Sequence, residues 1–534
     1  MKLSRRALIW FFCALMGALT VSAVGYATSV EGSGSGSGSG VADGSGSGDG
    51  SALAAAVGSG EGSGSGVAAA PAAAPAPFKK TSLADMKAKG APTTIAQRLQ
   101  SFIGIFGLLA IAYLLSNNRK AIQWRLVGWG IALQLSFAVI VLATAPGKWF
   151  FSKMNDMIVA LLGFTEQGAS FVFGNLIFNN VPVGIPIDPT ALKMAPVLPH
   201  MQTGWANTGA FIAFSVLPTI IFFSALMTVL YHLGVMQKVV DIFSKVMQRT
   251  MKTSGSETLA AAANIFLGQT EAPLCVKPYV ATMTKSELMA VMVGGFANTA
   301  GGVLAAYVGM LNGYFPDIAG HLISVSVMSA PASLVIAKMM FPETEPSQTS
   351  GELTMKVEKI DANLIDAAAR GASEGLGLAL NVGAMLIAFI ALIAMVNAGV
   401  GAFAGLFGHG DVNLQTIFGY LFWPISWLMG IEPADCAKAG ELLGTKTVLN
   451  EFVAYLDLSS ILQTNPDLIT DRTKIIVTYA LCGFANFSSI AIQIGGIAGL
   501  APERRGDLAR LGLKAMVGGS IATFVCAAIA GLLI

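Results

Sequence analysis

Leu259–Leu267 is apolar, Gly268-Gln269-Thr270-Glu271-Ala272-Pro273 interrupts it, and Leu274–Met283 resumes the apolar run. Each apolar piece is about ten residues long, half of the ~20 that a helix needs to cross hydrocarbon. Positive residues flank both ends (Lys252 and Lys285), which places both ends on the cytoplasmic side. The geometry that fits is a re-entrant helical hairpin with its polar tip near mid-membrane. Irregular backbone at that depth is tolerated only where it lines a protein or water cavity.

A second segment of this kind runs from Ala437 to Leu462. It reads Gly440-Glu441-Leu442-Leu443-Gly444-Thr445-Lys446-Thr447-Val448-Leu449-Asn450-Glu451-Phe452. Its Gly444-Thr445-Lys446-Thr447 has the wrong order for a phosphate loop, and its surroundings are apolar. Each segment precedes a span with the same tetrad: Gly295-Phe296-Ala297-Asn298 after the first, Gly483-Phe484-Ala485-Asn486 after the second. The two spans run in opposite directions, as expected of an inverted repeat whose binding site lies at the repeat interface near the midplane. Asn and Gly within a span favour local unwinding, which frees carbonyls to coordinate an ion.

Composition fixes the solvent. Of 534 residues, 54% are hydrophobic and 12% charged, with a net charge of +2; soluble domains average about 25% charged. That excludes a soluble globular enzyme, a disordered regulator and a nucleic-acid binder. Five scattered cysteines form neither a disulfide framework nor a zinc pattern. Residues 1–27 read as a signal peptide or an anchor: Lys2, Arg5 and Arg6, then an apolar run, then small residues. Residues 28–98 form an exported tether, mostly Gly/Ser and then Ala/Pro, too poor in apolar area to offset its ordering entropy.

About eight spans follow: Phe102–Leu115, Leu126–Ala145, Thr208–Leu230, Leu288–Leu311, Ile318–Phe341, Leu376–Val400, Ile475–Leu500 and Leu511–Ile534. Arg119, Lys120, Arg125, Lys238, Lys245, Arg249, Arg504, Arg505 and Arg510 then fall on the cytoplasmic side, with both termini outside. The expected class is an all-α polytopic membrane protein with two re-entrant hairpins in an inverted repeat.

A carboxylate at mid-membrane costs ~2.5–3.5 kcal/mol even on the lenient insertion scale, so Glu271 and Glu451 need a reason. One reason is a structural ion pair with Lys277 or Lys446. The sharper one is a ligand site, because Gln269, Thr270, Asn486, Ser488 and Ser489 accompany them. These neutral donor–acceptor groups, with no Arg in either hairpin, suit a hydroxylated, uncharged solute better than an anion. Asn264 is either an interhelix hydrogen bonder or an ion ligand.

The three long motifs resemble those of the concentrative nucleoside transporter family. They are Gly268–Leu274, Gly440–Lys446 continuing through Asn450-Glu451-Phe452-Val453-Ala454-Tyr455-Leu456, and Cys482–Ile490. The resemblance covers residues 102–534. It implies a homotrimer in the lipid bilayer of the inner or plasma membrane, each protomer having a scaffold and a transport domain. On this chain the division is 99–234 scaffold, 235–341 first transport repeat, 342–375 cytoplasmic loop, 376–436 scaffold span and external segment, and 437–534 second transport repeat. It implies base recognition by Gln269, Thr270, Glu271 and Val303, and ribose recognition by Glu451, Asn486 and Ser489 with Phe484 beside them. It implies sodium ligation by Asn264, the Leu267 carbonyl, Asn298 and the Thr299 carbonyl. Position 298 departs from the family's small hydroxyl residue, and a proton is the alternative coupling ion. The expected activity is sodium-driven nucleoside import without catalysis. The rivals are a carrier for dicarboxylates or amino acids, an intramembrane enzyme, for which the spans offer no motif, and a ligand-gated receptor or channel.

Overall fold

Reciprocal caps written in the sequence start several of the helices. Thr94 and Gln97 exchange side-chain and backbone hydrogen bonds at the start of α1 (Ile95–Leu114). The structure, a computed structural model, describes residues 93–178, 180–186, 200–207, 212–349 and 361–534. The expected signal segment and the tether up to residue 92 lie outside the described residues.

Next come α2 (Trp124–Ala138), which continues through a π turn to Ala143, and α3 (Ala145–Phe173). Strands β1 (Asn180–Pro186) and β2 (His200–Asn207) pair antiparallel, Asn180 opposite Asn207 and Pro186 opposite His200, with an irregularity between Val183 and Gly184. They belong to one of two compact units, and all described helices belong to the other. These continue with α4 (Leu217–His232), α5 (Val235–Met251), α6 (Gly255–Ala263), α7 (Lys277–Val280), α8 (Lys285–Ala297), α9 (Gly301–Leu311) and α10 (Ile318–Met340). The series ends with α11 (Leu364–Gly405), α12 (Leu414–Leu428), α13 (Pro433–Val448), α14 (Glu451–Thr464), α15 (Asp471–Leu481), α16 (Phe487–Ala498) and α17 (Arg505–Leu533).

Among the described residues, eight stretches are long and apolar enough to cross a membrane, or nine if α12 and α13, bent by 117°, count as one. Three expectations change. Ile475–Leu500 is not one helix: α15 ends at Leu481 and α16 begins at Phe487, because Gly483 has φ +102° and Asn486 caps α16. α3 occupies a stretch expected to be external loop, its hydropathy diluted by Lys148, Lys153, Asp156 and Glu166. The supposed external segment after the sixth span holds the end of α11 and all of α12.

The helices differ in what covers them. α8–α9, α10 and α17 are buried in protein over most of their length, whereas α1–α4 and α11 expose apolar side chains. α17 lies at the centre and packs against α1, α8, α10 and α15. The capped start of α6 is tied down by charge as well. Glu257 meets Lys338 of α10 at 2.7 Å, and Lys338 also meets Glu343 at 3.1 Å and the Ser286 hydroxyl at 2.9 Å. Thr284 and Glu287 form the reciprocal cap that starts α8.

α11 holds α4 through small residues spaced by four, Ala367, Gly371, Gly375 and Ala379, which lie on one buried stripe. A Cβ on Gly375 would sit 2.8 Å from the Ile221 Cα, so only glycine permits this approach. Gly375→Leu is expected to destabilise the detergent-solubilised protein by about 1–3 kcal/mol, the usual cost of overpacking, seen as a lower Tm. Gly377→Leu, where a Cβ meets nothing within 4 Å, is expected to leave Tm unchanged.

A candidate solute and cation site between two helical breaks

Four interruptions meet in the interior. The chain leaves α6 at Asn264 and turns through Gly268–Glu271. α8 and α9 are separated by Asn298–Ala300, where Asn298 is extended (φ −117°, ψ 163°). α13 and α14 are separated by Leu449-Asn450, and α15 and α16 by Cys482–Asn486. The two Gly-Phe-Ala-Asn copies therefore both fall at helix breaks. A Cβ on Gly483 would sit 2.7 Å from the Phe296 carbonyl oxygen, so the two copies touch.

These breaks converge on one cavity. It is lined by Gly268, Gln269, Thr270, Glu271, Ala300, Val303, Asn450, Glu451, Phe484, Asn486, Ser488 and Ser489, with Leu378, Val382 and Met385 of α11 on one wall. All eight residues expected to contact solute lie on this lining. A larger cleft of about 470 Å³, at Arg249, Lys252, Glu257 and Lys338, contains none of them.

The two acids sit differently. Glu451 is 4% exposed. It accepts from the Tyr307 hydroxyl at 3.0 Å and from Asn486 Nδ2 at 3.0 Å. Asn486 is held in turn, since its Oδ1 accepts from the Ser489 N–H and the Ser488 hydroxyl. Glu271 is exposed at the rim and accepts from the Gly268 N–H at 3.0 Å. Neither acid has the expected lysine partner. Lys277 is exposed, and Lys446 points its ammonium at backbone carbonyls instead. The ion-pair explanation for the two carboxylates therefore does not apply.

On the opposite wall, Gln269 Nε2 donates to the Ser489 hydroxyl at 3.2 Å, and Gln269 Oε1 accepts from Gln493 Nε2 at 3.1 Å. Gln493 also donates to the Met292 carbonyl. The turn after α6 and helix α16 are thus joined by side-chain hydrogen bonds directly at the cavity. Tyr307 and Gln493 escaped the sequence reading. Each lies four residues after an expected site residue, Val303 and Ser489 respectively, and helical spacing places it on the same face.

The expected cation ligands gather behind the first tip. Asn264 is buried, and neither its Oδ1 nor its Nδ2 has a hydrogen-bond partner. An orphaned buried amide is costly unless something else satisfies it. Asn298 is also buried; its Nδ2 donates to the Gly294 carbonyl at 3.1 Å and its Oδ1 accepts from the Ser329 hydroxyl at 2.5 Å. The Thr299 hydroxyl accepts from the Gly483 N–H at 2.9 Å. The first tip is pinned to this break by the Gly301 N–H, which donates to the Phe266 carbonyl at 3.0 Å.

The chain is similar to known proteins. A family model for the Na+ dependent nucleoside transporter C-terminus matches residues 321–531, and the corresponding N-terminus model matches 103–176. A nucleoside recognition model, Gate, matches 213–314. The chain is 45% identical over 438 residues to an uncharacterized transporter of Haemophilus influenzae, covering 82% of this chain and 98% of that one. It is 39% identical over 449 residues to sodium/nucleoside cotransporter 1 of Mus musculus, covering 82% and 64%. Among solved structures it is similar to CNTnw in an inward-facing substrate-bound state, with 42% identity and a TM-score of 0.71, covering 82% of this chain and 97% of that one.

Tyr307 and Asn486 donate to the same carboxylate, so their contributions are expected to be coupled. In a cycle of Tyr307→Phe and Asn486→Ala read by unfolding of purified protein, the double variant should depart from additivity by about 0.5–3 kcal/mol. Additive losses would mean that the two side chains do not share Glu451.

Proposed function

The chain belongs to the Na+-dependent nucleoside transporter family, and on that premise we propose that this cavity is where a nucleoside and its coupling sodium are carried together across the inner or plasma membrane. The observation that carries the reading is the convergence on one cavity of Gln269, Thr270 and Glu271 from one break with Glu451, Asn486 and Ser489 from two others.

Gln269, Thr270, Glu271 and Val303 take the base, and Glu451, Asn486 and Ser489 take the ribose, with Phe484 packed beside it. The ribose hydroxyls donate to Glu451, whose two oxygens are already held in place by Tyr307 and Asn486. A carboxylate fixed in this way binds a diol without first having to be ordered. Gln269 trades its bonds to Ser489 and Gln493 for bonds to the base.

Sodium takes oxygen ligands, and Asn264 Oδ1 is a buried oxygen with no other partner. The Leu267 and Thr299 carbonyls and Asn298 Oδ1 complete the set. Asn298 spends one lone pair on Ser329 and keeps the other. An ion there fastens the first tip to the break after α8 and orders Gln269–Glu271 for the base. Coupling follows by linkage, since each ligand then favours the state that binds the other.

The first and second repeats form the moving part, and α1–α4 with α11 form the scaffold. The exposed apolar face of α11, with Leu376, Leu380, Ile387, Ile390 and Met395, supports contact with lipid and with the other protomers of a homotrimer. Both termini lie outside. That orientation requires α3 to make no net crossing, and its exposed Trp149 and Lys153–Asp156 pair suit an outer interfacial position.

In proteoliposomes, an imposed sodium gradient is expected to drive accumulation of labelled uridine or adenosine, while a pH gradient alone is not. Glu451→Gln should reduce uptake at least tenfold, in line with the loss of roughly 1.5–3 kcal/mol for hydrogen bonds to a charged group, with unchanged elution of the purified protein. Unaltered uptake by that variant would refute the ribose assignment. Accumulation driven by pH alone would refute sodium as the coupling ion.

A further inference from the structure

The two repeats differ in what faces the broken helix. In the second repeat, Lys446 of α13 is 1% exposed. Its Nζ donates to the Ala480 carbonyl at 2.8 Å and the Cys482 carbonyl at 3.3 Å, at the open end of α15, and to the Thr523 hydroxyl of α17 at 3.3 Å. Thr523 gives its own proton to the Ser520 carbonyl. All three partners are therefore acceptors. A protonated lysine has three N–H donors and a neutral amine two, so the set matches an ammonium ion. Among the described residues no carboxylate forms an ion pair with it. The partial negative charge of the carbonyls at a helix C-terminus faces it directly, and Glu451 acts on it through space without touching it.

Aligning the tetrads places Gly294 of the first repeat opposite Cys482 of the second. At Gly294 no charged side chain arrives. Its carbonyl receives the neutral Asn298 amide, and the unpartnered Asn264 amide lies against it, 3.1 Å from where a Cβ on Gly294 would be. One open helix end thus carries its own cation, whereas at the other the aligned carbonyls, Met292 and Gly294, accept from the neutral Gln493 and Asn298 amides, with the unpartnered Asn264 amide beside them.

We propose that Lys446 is a tethered cation that fills, in the second repeat, the place the first repeat leaves to sodium, so that the second break takes no ion of its own. This rests on the reading of Asn264 as a sodium ligand. Lys446 is a positioning residue: it holds the end of α15, and through Cys482–Asn486 it sets the Asn486 amide against Glu451.

The test uses Lys446→Ser, which vacates the space and leaves an oxygen, and Lys446→Met, which fills the space without charge. Both are purified and compared with the unaltered protein for sodium-dependent thermal stabilisation and for the sodium dependence of uridine binding. The expected result is that Lys446→Ser is restored by sodium and binds uridine with a steeper sodium dependence, two ions replacing one. Lys446→Met is expected to be destabilised at every sodium concentration. The proposal is overturned if Lys446→Ser keeps the original sodium dependence, or if both variants are lost alike whatever the sodium. Asn264→Ala separates the two readings. If it abolishes the sodium response while Lys446→Ser changes nothing, this inference alone falls; if it leaves the response intact, the first site falls and takes this inference with it.

Discussion

Polar backbone inside hydrocarbon must find partners within the protein, and this one constraint organises the molecule. Each helix break exposes N–H and C=O groups that lipid cannot satisfy. The chain responds by placing its breaks together, inside a jacket of α8–α10 and α17 that is itself buried. The groups left over at the breaks line the cavity. Asn486 caps α16 while presenting its amide to Glu451. Asn450 caps α14 immediately before Glu451, accepting from the Val453 N–H. The residues that end and start the helices are thus the same residues that build the site.

The two halves of the site are alike in design and unlike in chemistry. Glu451 lies deep and is held by two neutral donors, whereas Glu271 stands at the rim with one backbone N–H. The deep acid is therefore preorganised and the rim acid free to adapt. That difference in burial gives the cavity one rigid end and one adaptable end, as the proposed ribose and base positions require. The direct bonds from Gln269 to Ser489 and Gln493 tie the first break to α16 at the cavity.

Much of this was legible in the sequence because the physics is local. Ten-residue apolar runs on either side of Gly268–Pro273 are too short to cross, so the first break was readable from length alone, and Ala437–Leu462 was recognised as a second segment of the same kind. The repeated tetrad pointed to local unwinding within two spans, without showing where their helices end. What was not legible depended on tertiary contact. α3 was missed because Lys148, Lys153 and Glu166 dilute its hydropathy, and the split of α15 from α16 because Gly483 and Asn486 sit within an otherwise continuous apolar run. Lys446 entered the sequence reading only as one of two lysines that could pair with the two acids, the less favoured explanation. Its reach to Ala480, Cys482 and Thr523 depends on how α13 crosses α15 and α17, which no local pattern encodes.

The central claim is that the first tip and the second tetrad line the same solute pocket. Single-cysteine variants Thr270→Cys and Ser488→Cys, in a background lacking the native cysteines, address it through alkylation by a small thiol reagent. The account predicts that uridine protects both positions over the same concentration range, and that removing sodium weakens protection at both. Protection at one position with none at the other, at saturating uridine, would contradict it.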